Sequence, residues 1–146
     1  MEVSRDCGIT CRAEYGGGEC RGRDMEWEIV VHAEDRYVEV ITSGVAERDG
    51  SLNMAKAIMG TMRTHRLTKA LIDHRNIEGV GGNTTDIYNR PKILRIIGVI
   101  LRIRIAEVVK AEHLKHFKFF ETVCFNQGYQ LAIFQAKDPA VAWLLA

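Results

Sequence analysis

Residues 119–145, FFETVCFNQGYQLAIFQAKDPAVAWLL, decide the fold class. Their first half belongs to a helix predicted over Glu112 to Gln127. Leu114, Phe117, Phe120, Val123 and Cys124 recur there at the spacing that lines one helical face. Gly128 supplies a natural C-terminal stop, because a glycine adopts the left-handed conformation that closes a helix without steric cost. Gln130 to Phe134 is too short and too apolar for anything but a buried strand. Asp138-Pro139 then reads as a cap followed by proline at the first helical position, opening a short helix over Ala140 to Leu145. Val141, Trp143 and Leu144 are its packing groups. Helix, strand and helix joined by connections of a few residues form the unit of an α/β domain.

Upstream, the same alternation continues. Trp27 to Ala33 is β-rich, with Trp27, Ile29, Val31 and Ala33 on one face. Glu34-Asp35-Arg36 makes a polar turn into Tyr37 to Thr42, so the opening is a β-hairpin that Ser43-Gly44 ends. Asp49 or Ser51 caps a helix to about His65, carrying Leu52, Ala55, Ile58, Met59 and Met62 on one stripe. Its methionines, Met54, Met59 and Met62, read better as core filler than as an adaptable binding face. Lys69 to Asp73 is a short buried strand, followed by a glycine-rich loop over Glu78 to Asn83. A helix with Asn89 as cap and Pro91 in its first turn runs through Ile93, Leu94, Ile97 and Val99, and a strand covers about Ile103 to Val109. The expected architecture is a mixed five-stranded sheet with four helices in the order β-β-α-β-α-β-α-β-α.

Taken together, YVEVITSG at residues 37–44, LIDHRN at 71–76, RIRIAEVV at 102–109 and the C-terminal run resemble the SpoIIAA-like proteins of the STAS and CRAL-TRIO-related group. The resemblance spans about residues 25–146. The STAS relatives include anti-sigma-factor antagonists that are switched by phosphorylation of a serine where the third strand meets the second helix. The corresponding place here is IEGVGGNTTD, residues 77–86, which lacks the usual Asp-Ser-Ser-Gly pattern and offers Thr84 and Thr85 as candidate phosphoacceptors. CRAL-TRIO relatives hold lipids in an apolar pocket, and this chain is shorter than those domains.

Whole-chain properties bound the function. A length of 146 residues, 47% of them apolar and 27% charged, fits one globular domain. A net charge of +1 argues against a chain built mainly to hold nucleic acid. Charge is uneven, with eight Lys or Arg residues from Arg90 to Lys118 against Glu107 and Glu112 alone. The segment Ile93 to Val109 is interrupted by Arg95, Arg102 and Arg104, so no transmembrane span is expected. MEVSRDCGIT is not a signal peptide, which makes the cytoplasm the expected location. Residues 1–24 read as a poorly ordered extension rich in Cys, Gly and Arg, and Met25 is an alternative natural start. Cys7, Cys11 and Cys20 lack the spacing of a zinc site.

Candidate site residues cluster after the Lys69–Asp73 strand. Asp73 and Arg75 bracket its carboxyl end, where open α/β sheets bind ligands. They either present a carboxylate and a guanidinium to a ligand or partner or, as the stronger reading, act structurally, with Asp73 capping loop amides and Arg75 covering a neighbouring carboxylate. Gly79-Val80-Gly81-Gly82 with Asn83, Thr84 and Thr85 could form an anion nest or simply a turn. His113 and His116 are three apart on a helix but lack a third metal ligand, so no metal and no cofactor is expected. Cys124 is an inward, inert thiol, and no serine sits on a nucleophile elbow. The expected function is a non-enzymatic regulatory or protein-interaction module. The alternative is a binding module for a lipid-like or anionic small molecule along Ile93 to Leu101, and a homodimer is a further candidate assembly.

Overall fold

A computed structural model describes residues 4–6, 25–46, 48–80 and 103–146. Its sheet has six strands in the order β1 to β6, each lying beside its neighbour in sequence. The strands are β1 (Ser4–Asp6), β2 (Glu26–His32), β3 (Tyr37–Ala46), β4 (Lys69–Val80), β5 (Arg104–Val108) and β6 (Gln130–Phe134). The first three are antiparallel, and β3 through β6 run parallel. Helix α1 (Arg48–His65) joins β3 to β4, α2 (Leu114–Asn126) joins β5 to β6, and α3 (Lys137–Leu145) ends the chain.

The mixed α/β sheet and its hairpin entry agree with the sequence reading, but the expected five strands become six. The added strand, Ser4–Asp6, lies in the expected extension and pairs with β2 through Ser4↔Val31 and Asp6↔Ile29. Three residues are too few to show periodicity, so the sequence offered no sign of it. Three α-helices occur among the described residues. The fourth expected helix, over Pro91 to Val99, lies outside them, as do Cys7, Cys11 and Cys20.

Two other boundaries move for physical reasons. Ser43-Gly44 does not end β3, which continues to Ala46 through register shifts between Ile41 and Ser43 and between Gly44 and Val45. Gly44 takes φ 82°, a conformation that lets a strand kink and resume. Strand β4 likewise runs past Asp73 to Val80, so Gly79 and Val80 belong to a strand rather than a loop. At the helices, Asp49 and Ser51 fall inside α1, which begins at Arg48. Asp138 and Pro139 fall inside the first turn of α3, which starts at Lys137 after an Ala136 that makes no side-chain cap. The predicted stop at Gly128 is observed: φ is 86°, Gly128 N–H donates to Phe125 O, and Tyr129 N–H donates to Cys124 O, a Schellman closure.

Strand alternation sorts the core into two layers. On one face Ile29, Val31, Val38, Val40, Ala70, Ile72, Leu131 and Ile133 pack with Met54, Ile58, Met59 and Met62 of α1 and Phe117, Phe120 and Cys124 of α2. On the other, Tyr37, Leu71, Ala106 and Val108 pack with Ala140 and Leu144 of α3. The methionines are thus core residues, as expected. No helix among the described residues is long and apolar enough to cross a membrane.

Candidate functional site

Period-two alternation sends Asp73 and His74, adjacent in the chain, to opposite faces of the sheet. Between Ile41↔Asp73 and Ser43↔Asn76, β3 advances two residues while β4 advances three. That extra residue is a bulge at His74–Arg75, which re-aims side chains within β4 and not at its expected carboxyl end, since the strand continues to Val80. Two polar clusters result, one on each face.

On the α3 face, Asp73 and Arg75 form a closed pair. Arg75 Nε donates to Asp73 Oδ1 at 2.9 Å and Nη2 to Oδ2 at 2.7 Å, while the Arg75 backbone N–H donates to Oδ1 at 3.1 Å. Such a two-pronged pair fixes direction as well as distance. The Asp73 side chain is only 12% exposed, against 47% for Arg75. Asp73 therefore positions Arg75, and Arg75 is the group that reaches solvent. Burial alone would raise the Asp73 carboxyl, but the Arg75 hydrogen bonds and charge outweigh it and hold the group below its ordinary range. The same bonds push the Arg75 guanidinium up.

Beside this pair lies a second ion cluster. Lys137 Nζ, at the start of α3, donates to Glu39 Oε1 at 2.6 Å and Oε2 at 3.2 Å, and His32 Nε2 lies 3.2 Å from Oε2. The bond to Glu39 raises the Lys137 ammonium above its ordinary value. Tyr37 stacks on His32 at 4.5 Å, and its hydroxyl is pushed up, first by burial and then by the Glu39 charge. Two carboxylates and two permanent cations balance here, so the surface is polar without a strong net sign.

On the opposite face the polar groups are dry. Thr42 Oγ1 lies 2.7 Å from His74 Nδ1 and donates to the Asp73 carbonyl at 3.1 Å. His74 Nε2 lies 3.8 Å from Glu107 Oε1, with side chains 5% and 7% exposed. The His74 ring stacks on Phe117 at 5.1 Å. Thr42 is fully buried, so this threonine–histidine–glutamate alignment offers no accessible nucleophile.

Of the residues singled out from sequence, Asp73 and Arg75 are thus brought together. Gly81, Gly82, Asn83, Thr84 and Thr85 lie outside the described residues. His113 and His116 do not join a metal centre: among the described residues no group of three or more His, Cys, Asp or Glu could hold an ion. Cys124 is a buried free thiol. Sequence reasoning missed His32, Glu39, Thr42, His74, Glu107 and Lys137. Glu39 and Glu107 interrupt apolar strands, and His74 stands between the two chosen residues, so a search for polar groups in buried strands would have found three of them.

No protein-family model and no curated protein matches the chain. Solved structures do. An anti-sigma factor antagonist from Mycobacterium paratuberculosis superposes with a TM-score of 0.57 at 13% identity, over 84% of this chain and 95% of that one. An uncharacterised DUF3478-family protein from Shewanella loihica PV-4, described as having a SpoIIAA-like fold, gives 0.56 at 15% identity over 88% and 99%. At such identities the shared property is the path of the backbone, and the chain accordingly carries a SpoIIAA-like fold.

Proposed function

We propose that this protein is a non-enzymatic regulatory module that contacts a protein partner through the bulged middle of β4, with Arg75 as the contact group. The carrying observation is the division of labour within the Asp73–Arg75 pair: the carboxylate is buried and the guanidinium it orients is half exposed. A preorganised arginine loses little freedom on binding and is a frequent anchor of interfaces. The fold shared with an anti-sigma factor antagonist supports a protein partner. Thr84 and Thr85 remain proposed phosphoacceptors, and Gly81, Gly82 and Asn83 remain proposed ligand- or partner-binding positions. Self-association remains a further proposal, supported by the exposed Phe119 and Phe125 of α2.

The test is a quantitative capture experiment with Arg75→Glu beside the unaltered protein. Capture of a partner should fall at least tenfold while the melting temperature stays within a few degrees. Undiminished capture by Arg75→Glu would remove Arg75 from the contact surface and this reading with it.

A further inference from the structure

We infer that Glu121 latches the open edge of β6, and that this contact keeps two copies of the chain from pairing edge to edge. Among the described residues β6 is the last strand of the sheet, bonded to β5 on one side only. Val109 N–H donates to the Phe134 carbonyl at 2.9 Å, so Phe134 turns its backbone groups toward β5. Backbone groups alternate along a strand, which leaves those of Leu131 and Ile133 pointing outward.

Such an edge is a template for another strand, and proteins blunt theirs with charge, proline, bulges or brevity. At the far edge β1 is only Ser4–Asp6, and Arg5 and Asp6 are both charged. Strand β6 carries none of these devices. Its sequence is QLAIF, without charge or proline, and it pairs with β5 with no shift of register. The edge also borders an open groove of about 610 Å³, walled by Thr122 and Phe125 of α2 and Trp143 of α3. Phe125 is exposed, so an arriving strand would gain apolar contacts as well as hydrogen bonds.

The protection comes from α2. Glu121 Oε2 accepts the outward Ile133 N–H at 2.5 Å, and Lys118 Nζ, 3.4 Å from Oε1, holds the same carboxylate. A backbone N–H bonded to a carboxylate is held about twice as strongly as one bonded to a carbonyl, so an incoming strand competes poorly for it. The occupant this excludes is the β6 edge of a second copy. With two copies antiparallel about a two-fold axis at Ala132, Leu131 of each faces Ile133 of the other, and both pairs exchange backbone bonds. Half of those bonds need the Ile133 N–H that Glu121 occupies. The latch lies on a different strand from Arg75, so it stands or falls apart from the function proposed above.

The test is sedimentation of the unaltered chain, Glu121→Ala, Ala132→Lys and the double variant over a dilution series, with amide hydrogen exchange read at Ile133. The Glu121 side chain is 27% exposed and lies outside both core layers, so its truncation spares the packing. Glu121→Ala should self-associate about tenfold more tightly than the unaltered protein, and its Ile133 amide should exchange faster at monomer dilutions. Adding Ala132→Lys should reverse the association, because it sets like charges face to face at the two-fold axis. Glu121→Ala that associates no more tightly than the unaltered chain overturns the inference, as does association that survives Ala132→Lys. Assembly of the unaltered protein that Ala132→Lys alone undoes would show the edge already open, with the same consequence. An Ile133 amide that exchanges in the unaltered chain as fast as a solvated one overturns the latch without any variant.

Discussion

Asp73 and His74 are neighbours in the chain, yet they meet opposite physics. On the α3 face, the carboxylates of Asp73 and Glu39 are buried but their cations, Arg75 and Lys137, keep 47% and 41% of their side chains in water. On the α1–α2 face, His74 and Glu107 are both sealed, and one Glu107 oxygen has no hydrogen-bond donor among the described residues. Long Arg and Lys stems let a charge pair bridge the core and the solvent. Imidazole and glutamate, each fixed in a strand, have no such reach. The comparison teaches that the first cluster can trade a partner for water, while the second cannot.

The dry face should therefore respond most to change. His74→Leu removes the polar group that faces the buried Glu107 carboxyl at 3.8 Å and should destabilise by about 3–5 kcal/mol, seen as a lower urea midpoint. Joining Glu107→Leu to it should restore most of that loss. A double variant no better than the single one would show that the two side chains are not coupled.

On the wet face, Lys137→Met should cost about 1–2 kcal/mol, less than a sealed pair because water can reach Glu39 once the lysine is gone. Its pH signature has a definite sign. The Lys137 ammonium and the Tyr37 hydroxyl are both raised in the folded protein. Their contribution is full below the ordinary lysine and tyrosine range, at about pH 10, and is lost as pH rises through the raised values. Melting temperatures recorded from pH 8 upward should fall more steeply for the unaltered protein than for Lys137→Met; parallel curves would remove the Glu39–Lys137 bond as the cause.

Asp73→Asn should cost about 1 kcal/mol, at the low end for a charged hydrogen bond because Arg75 is solvated. Here the carboxyl is lowered on folding. Its stabilisation is present above the ordinary aspartate value of about 3.9 and is lost as pH falls through the lower folded value. Urea midpoints below pH 5 should thus fall less steeply in Asp73→Asn, and an unchanged acid limb would contradict the assignment. Arg75→Ala is the smallest effect on stability, about 1 kcal/mol or less, since the pair opens to solvent on its arginine side and water can reach Asp73 once the guanidinium is gone. A large drop in its melting temperature would mean that Arg75 supports the fold rather than presenting a contact.

The elements were readable because their signals are local. The stripe from Leu114 to Cys124, the Gly128 stop and the apolar Gln130–Phe134 strand each follow from residues within a few positions of one another. Asp73 and Arg75 were singled out two residues apart, but their bond to each other was not foreseen, because the strand was expected to end at Asp73 and instead bulges and runs on to Val80. Lys137 and Glu39 are 98 positions apart, and Thr42 and His74 are 32 apart. Which carboxylate meets which cation depends on strand order and register, and a bulge that shifts β4 by one residue changes every such contact beyond it.

The sequence by itself determined the alternation of strands and helices from Trp27 onward within the described residues and the apolar faces they present, because periodicity and turn chemistry act over short stretches of chain. Only the tertiary structure decided that the middle of β4 divides into a hydrated pair on one face and a sealed histidine–glutamate contact on the other. That division follows from the alternation of side chains across a sheet whose two faces are covered by different helices, and burial of a charge is a property of the assembled layers rather than of any residue alone.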